Sequence, residues 1–146
     1  GVVVGRGCLG RPWLFTDLTK SMSGNSERLL PSLHEVREVM FRHGELIVDY
    51  FESEDRGCRD LRKHMAWYLK GFSVHSELRR QFGMIDSLAE FRTLLDQLDD
   101  QPYPLEVAEK PRGHTSHGRP PTLPDGWLND PDEMIHLEAE DMFSGG

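Results

Sequence analysis

From residue 33 to residue 98, apolar side chains recur at helical spacing. Val36, Met40, Ile47 and Phe51 fall on one side of a helix. Ser32 precedes this run with Glu35 three positions on, the form of a capping box. The pattern predicts a helix from Ser32 to near Ser53. Gly44 inside it costs ~1 kcal/mol relative to Ala and predicts a close approach of another helix. Gly57 interrupts the pattern. Leu61, Met65, Tyr68, Leu69 and Phe72 then occur at i, i+4, i+7, i+8 and i+11, which predicts a second amphipathic helix ending at or near Gly71. A third, from about Val74 to Phe82, carries Leu78 and Phe82 inward. Ser87 is placed to cap a fourth, Leu88 to Leu98, with Leu88, Phe91, Leu95 and Leu98 in one stripe. Four such helices joined by short loops predict a small bundle.

The two ends of the chain follow other patterns. Val2, Val3 and Val4, closed by Gly5, read as a strand buried on both faces, as in a parallel sheet. The chain supplies no second convincing strand, so the expectation is that this strand belongs to a longer protein of which the chain is the later part. GRGCLGRP follows as a glycine-rich turn, and Pro12 suits the first turn of a helix from about Pro12 to Lys20. SMSGNSERLLPS, residues 21–32, reads as a linker. After Gln101, prolines crowd a stretch with few apolar residues, and it is expected to be mostly disordered. The organisation expected is therefore residues 1–22 as the end of a barrel, 23–33 as a linker, 34–99 as a helical domain and 100–146 as an acidic, Pro- and Gly-rich tail. Within that tail, MIHLEAEDMF at 134–143 is amphipathic and suits a transient helix.

Charge alters this picture more than composition does. The chain carries a net charge of −8. Residues 1–98 nevertheless hold 14 Lys and Arg against 14 Asp and Glu, whereas residues 99–146 hold 3 against 11. Segment 56–80 carries seven basic residues and two acidic ones. Affinity for phosphate backbones follows local positive charge, so the acidic total does not exclude a nucleic-acid partner. No apolar run approaches the length of a membrane span. Two cysteines, Cys8 and Cys58, are too few for a disulfide framework and suit a reducing cytoplasm. Cys8 reads as a small packed residue beside the turn. Cys58, near a helix start, is open to a slightly lowered pKa, but reads first as a structural or exposed thiol. His114 and His117 have H-x2-H spacing without further ligands, and no metal site is expected.

A strand, a GRG turn and a helix together make a candidate anion site, though by themselves they suit a tight strand–helix turn with no ligand better. Gly5 and Gly7 let the backbone approach an oxyanion, and N–H groups at the turn point towards it. In (β/α)8 barrels the loops after the last two strands commonly bind phosphate in this way. On the second long helix, Arg59, Lys63, Trp67 and Lys70 share the face opposite the apolar stripe. Cations around an aromatic suit contact with a nucleic-acid backbone and its bases, and equally suit a solvated outer face. Arg62 lies nearer the apolar edge, where pairing with Asp60 or Glu54 competes with an RNA contact. His64 is open to RNA contact, helix capping or hydrogen bonding within the bundle. His43 falls on the inner stripe and reads as a core histidine.

GVVVGRGCLGRPWLF at 1–15, RKHMAWYLKGF at 62–72 and ELRRQF at 77–82 stand in one order, and together they resemble the tRNA-dihydrouridine synthases over about residues 1–98. The resemblance implies a mainly α fold: the last strand and helix of a (β/α)8 TIM barrel, then a four-helix bundle and the tail. It implies reduction of the C5–C6 bond of uridine in tRNA, with FMN in the barrel and NADPH as reductant. Gly5 and Arg6 match the positions that contact the cofactor phosphate. Arg62, Lys63, His64, Arg79 and Arg80 match basic positions of the tRNA-gripping domain. No catalytic residue falls within this chain, because the catalytic cysteine lies upstream in the family. A monomeric cytoplasmic protein is expected. Two rival readings are a stand-alone helical RNA-binding module, which has no use for GVVVGRG, and an adaptor acting through the acidic tail.

Overall fold

The computed structural model describes residues 1–110, and these are helical. After one 3-10 turn at Arg6–Cys8 come α1 (Leu14–Met22), α2 (Leu33–Phe51), α3 (Glu54–Tyr68), α4 (Ser76–Phe82), α5 (Leu88–Leu95) and a short α6 (Leu105–Ala108). No strand forms among the described residues. Residues 1–4 lack regular structure and Val3 is 98% exposed. A β-branched run needs a ladder partner to become a strand, and none of the described residues supplies one.

The four predicted helices form, and their inner stripes make one core. Val36 and Met40 of α2, Leu61 and Met65 of α3, Phe82 of α4 and Phe91 of α5 are each at most 4% exposed. The capping box at Ser32 is present: the Glu35 carboxylate accepts the Ser32 N–H at 2.8 Å. Ser87 caps α5 through the Glu90 N–H at 3.1 Å. A Cβ on Gly44 would stand 3.0 Å from Leu61 and 3.1 Å from Leu88. The small residue is what lets α2 approach α3 and α5.

Two expectations need correction. Gly57 does not interrupt α3 but lies in its first turns, where a Cβ would come within 2.6 Å of Val48 Cγ2 and 2.8 Å of Val48 Cα. The glycine allows α3 to start against the end of α2. The second correction concerns residues 100–110, expected to belong to a disordered tail. The Gln101 carbonyl accepts the Leu33 N–H and the Asp100 carboxylate accepts the His34 N–H, each at 2.8 Å. These are the first N–H groups of α2, which have no acceptor inside the helix. The His34 N–H, with other donors nearby, holds Asp100 below the usual carboxylate pKa range. The Gln101 side chain also pairs with both backbone groups of Ser73 at 2.8 Å. Tyr103 then packs edge-on against Trp13 and Phe72. The rest of the predicted tail, including residues 134–143, His114 and His117, lies outside the described residues.

Candidate functional site

The glycine loop is built from contacts at both of its ends. At one end, the 3-10 turn leaves the N–H groups of Arg6 and Gly7 ahead of its first internal hydrogen bond. A Cβ built on Gly5 meets nothing within 4 Å, so the backbone there lies open to a ligand. The Cys8 thiol turns back to the Gly5 carbonyl at 3.2 Å, a local packing role. At the other end stands Gly10, with φ +64°. A Cβ there would fall 2.3 Å from the Trp67 carbonyl carbon and 2.5 Å from the Tyr68 nitrogen. The loop therefore rests directly on the backbone at the end of α3.

The same helix carries three of the residues expected to meet RNA, Arg62, Lys63 and His64. Lys63 is 72% exposed and pairs with Asp60. His64 faces the loop: its ring lies 4.8 Å from that of His43, and its Nε2 is 3.9 Å from Asp60. His43 accepts or donates at Nδ1 to the Tyr68 hydroxyl at 3.1 Å. Cys8 and Leu9 of the loop, Phe15 of α1 and these two imidazoles line an apolar cleft of about 580 Å³. His64 thus belongs to a packed aromatic group; His43 is hydrogen-bonded as expected, but it is half-buried on the cleft wall and not in the core.

The arginines divide into two kinds. Arg80 is 60% exposed and pairs with neighbours on its own helix and the turn after it, chiefly Glu77. Ion pairs at i,i+3 on a helix surface are weak and give way readily to a phosphate. Arg79 and Arg62, also expected as RNA contacts, have their guanidinium groups engaged by the fold. Arg79 donates to the carbonyls of Val74, Leu69 and Phe72. Arg62 donates to those of Ile85 and Met84 and pairs with Asp86 rather than Asp60 or Glu54. Arg59 pairs with Asp55 one turn away, and Lys70 reaches the Lys110 carbonyl.

Three groups escaped the sequence reading. Arg11 donates from Nε to the Gly7 carbonyl at 2.6 Å. Glu109 pairs with both Arg11 and Arg28. Gly10 seats the loop on α3. The repeated Gly-Arg of GRGCLGR was a visible signal for Gly10 and Arg11, whereas nothing local marks Glu109.

Burial pushes the His43 pKa below its ordinary value, the neighbouring His64 adds to the shift, and Asp60 opposes it. The unfolded chain therefore takes up a proton at about pH 6.5 that the folded chain resists until lower pH. Stability from this group is complete above about pH 7 and is lost as pH falls through and below about 6.5. Urea unfolding at pH 7.5 and 5.5 is expected to show a smaller pH loss in His43→Gln than in the wild type. An equal loss in both would remove His43 from this role. Cys58 is buried, in line with its reading as a structural thiol, and its pKa is pushed up and not lowered, by burial first and by Glu54 second. No group of three or more His, Cys, Asp or Glu side chains is placed to hold a metal among the described residues. No helix among them is long and apolar enough to cross a membrane.

A family model described as dihydrouridine synthase (Dus) matches residues 1–103. A probable tRNA-dihydrouridine synthase of Mycobacterium leprae is 47% identical over 148 aligned residues, which cover 100% of this chain and 38% of the relative. A protein of the same description from Mycobacterium tuberculosis has the same identity and coverage. tRNA-dihydrouridine synthase B of Pasteurella multocida is 38% identical over 58% of this chain and 25% of its own. The chain thus spans about two fifths of the mycobacterial relatives it matches. No solved structure matches it.

Proposed function

Because the chain belongs to the dihydrouridine synthase family, we propose that it is the C-terminal part of a flavin-dependent tRNA-dihydrouridine synthase acting in the cytoplasm as a monomer. On this reading residues 1–22 complete the flavin barrel. Residues 34–99, extended by the packed segment to 110, grip tRNA. The observation that carries the reading is the seating of Gly10 on α3, which joins a glycine loop open to an anion with the helix that presents Lys63.

The loop suits the phosphate of FMN. Its donors are backbone N–H groups, Gly5 leaves room for close approach, and the Arg6 side chain is exposed beside it. FMN, reduced by NADPH, would supply the hydride for the uracil C5–C6 bond. The chain's own residues bind and orient. Gly5 and Arg6 hold the phosphate through N–H groups, while Lys63 and Arg80 exchange their weak carboxylate pairs for tRNA phosphates. Arg62 and Arg79 fix the turns around α4 so that Arg80 is presented in one place. His64 backs the loop through the aromatic group and holds α3 in register with it.

The test is tRNA binding by the full-length protein across a salt series. Lys63→Glu with Arg80→Glu is expected to weaken binding and lower the salt slope by about 2, one for each phosphate that no longer meets a cation. An unchanged affinity and slope would remove the helices from the tRNA interface. Wild-type tRNA binding by a protein that never takes up flavin would favour the stand-alone RNA-binding module.

A further inference from the structure

We propose that Glu109, acting through Arg11, is a positioning residue for the glycine loop, and that it ties the loop's phosphate-binding geometry to a segment beyond the family match. The proposal rests on the reading of the loop as a cofactor-phosphate site.

A lone 3-10 turn has too few hydrogen bonds to hold itself in water. Here Arg11 Nε caps its carbonyl end by donating to Gly7 at 2.6 Å. With that carbonyl fixed, the turn stays wound, and the N–H groups of Arg6 and Gly7 at its opposite end keep their direction. Arg11 in turn needs a reason to stay. Its side chain is 15% exposed, and a guanidinium so enclosed needs a counter-charge. Glu109 provides it at 3.5 Å and also takes Arg28 of the linker. Glu109 directly follows α6, which is seated on Gly71. That residue has φ +89°, and a Cβ on it would lie 2.9 Å from Pro104 and 3.1 Å from Val107. The line of support thus runs from Gly71 through α6, Glu109 and Arg11 to Gly7.

The family match ends at residue 103, whereas the mycobacterial relatives align with the whole chain. Residue 109 therefore lies beyond the family model and inside the part aligned with those relatives.

The test uses the full-length protein stripped of flavin and titrated with FMN, followed by flavin fluorescence. Glu109→Ala and Arg11→Ala are each expected to raise the FMN Kd roughly tenfold, the size of effect that follows when the support behind a binding group is removed. The double variant should be no worse than either single one, because both act through Gly7. Arg28→Ala removes the other partner of Glu109 without touching the loop and should leave the Kd unchanged. Amide exchange at residues 5–9 in the flavin-free protein should quicken in Glu109→Ala. A wild-type Kd and wild-type exchange in Glu109→Ala would overturn the proposal, as would an additive double variant. Gly5→Val separates this from the underlying reading. If Gly5→Val weakens FMN binding and Glu109→Ala does not, only the positioning role fails. If Gly5→Val and Arg11→Ala both bind FMN normally, the loop is not the phosphate site and both fail.

Discussion

Gly10→Ala is expected to lower the unfolding free energy by about 3 kcal/mol or more and to release the glycine loop from α3. Two costs act together. The backbone at φ +64° is one that a side chain occupies at a cost of about 1–2 kcal/mol. The added methyl would also sit 2.3 Å from the Trp67 carbonyl carbon and 2.5 Å from its oxygen. These are backbone atoms of a formed helix, which cannot turn aside as a flexible side chain can. Gly24→Ala separates the two costs. Gly24 has φ +83° with nothing within 4 Å of a built Cβ, so it carries the conformational cost alone. Urea midpoints of both variants measure the difference. Equal losses would mean that the loop does not rest on α3.

Arg79→Ala is expected to cost about 3 kcal/mol, because one side chain serves three carbonyls and charged donors make the stronger hydrogen bonds. The bonds to Leu69 at 3.0 Å and Phe72 at 2.7 Å satisfy oxygens where α3 has ended, and the bond to Val74 at 3.2 Å fixes the approach to α4. Removing the guanidinium leaves those oxygens without their partner and frees the turn that orients α4. Arg80→Ala, one residue on, should leave the melting temperature unchanged and act on tRNA affinity alone. Thermal unfolding and tRNA binding of the two variants give the comparison. An Arg79→Ala protein of wild-type stability would return Arg79 to the set of direct RNA contacts.

The contrast between these neighbours shows what the sequence could and could not disclose. The helix faces were legible because burial along an amphipathic helix repeats with its own period. Leu61, Met65, Tyr68, Leu69 and Phe72 are all in the core, and the Ser32–Glu35 capping box stands where its spacing put it. Destinations of polar side chains were not legible, because they depend on which turn lies opposite. Arg62, Lys63, Arg79 and Arg80 form one basic pattern in sequence, yet two hold backbone carbonyls and two face solvent. Composition failed at residues 100–110 for the same reason. Asp100 and Gln101 belong to a polar, proline-bearing stretch, but the N–H groups at the start of α2 need acceptors from elsewhere. Gly57 misled because a glycine that breaks a helix and one that admits a neighbouring helix look alike in one dimension. Val2 to Val4 were read as a strand whose neighbours lie outside the chain, and among the described residues, with no ladder partner, they take no regular structure.

The seating of Gly10 on α3 also bears on how such a protein could be recombined. The exposed part of the linker, residues 23–30, is the obvious place to exchange one helical domain for another. A junction there would take the loop from one parent and α3 from the other. Gly10 would then meet a foreign backbone with no tolerance for a shift, and Arg11 would face a foreign residue in place of Glu109. The unit that travels intact begins ahead of the glycine loop and runs through α6, so graftable boundaries follow that seating and not the linker.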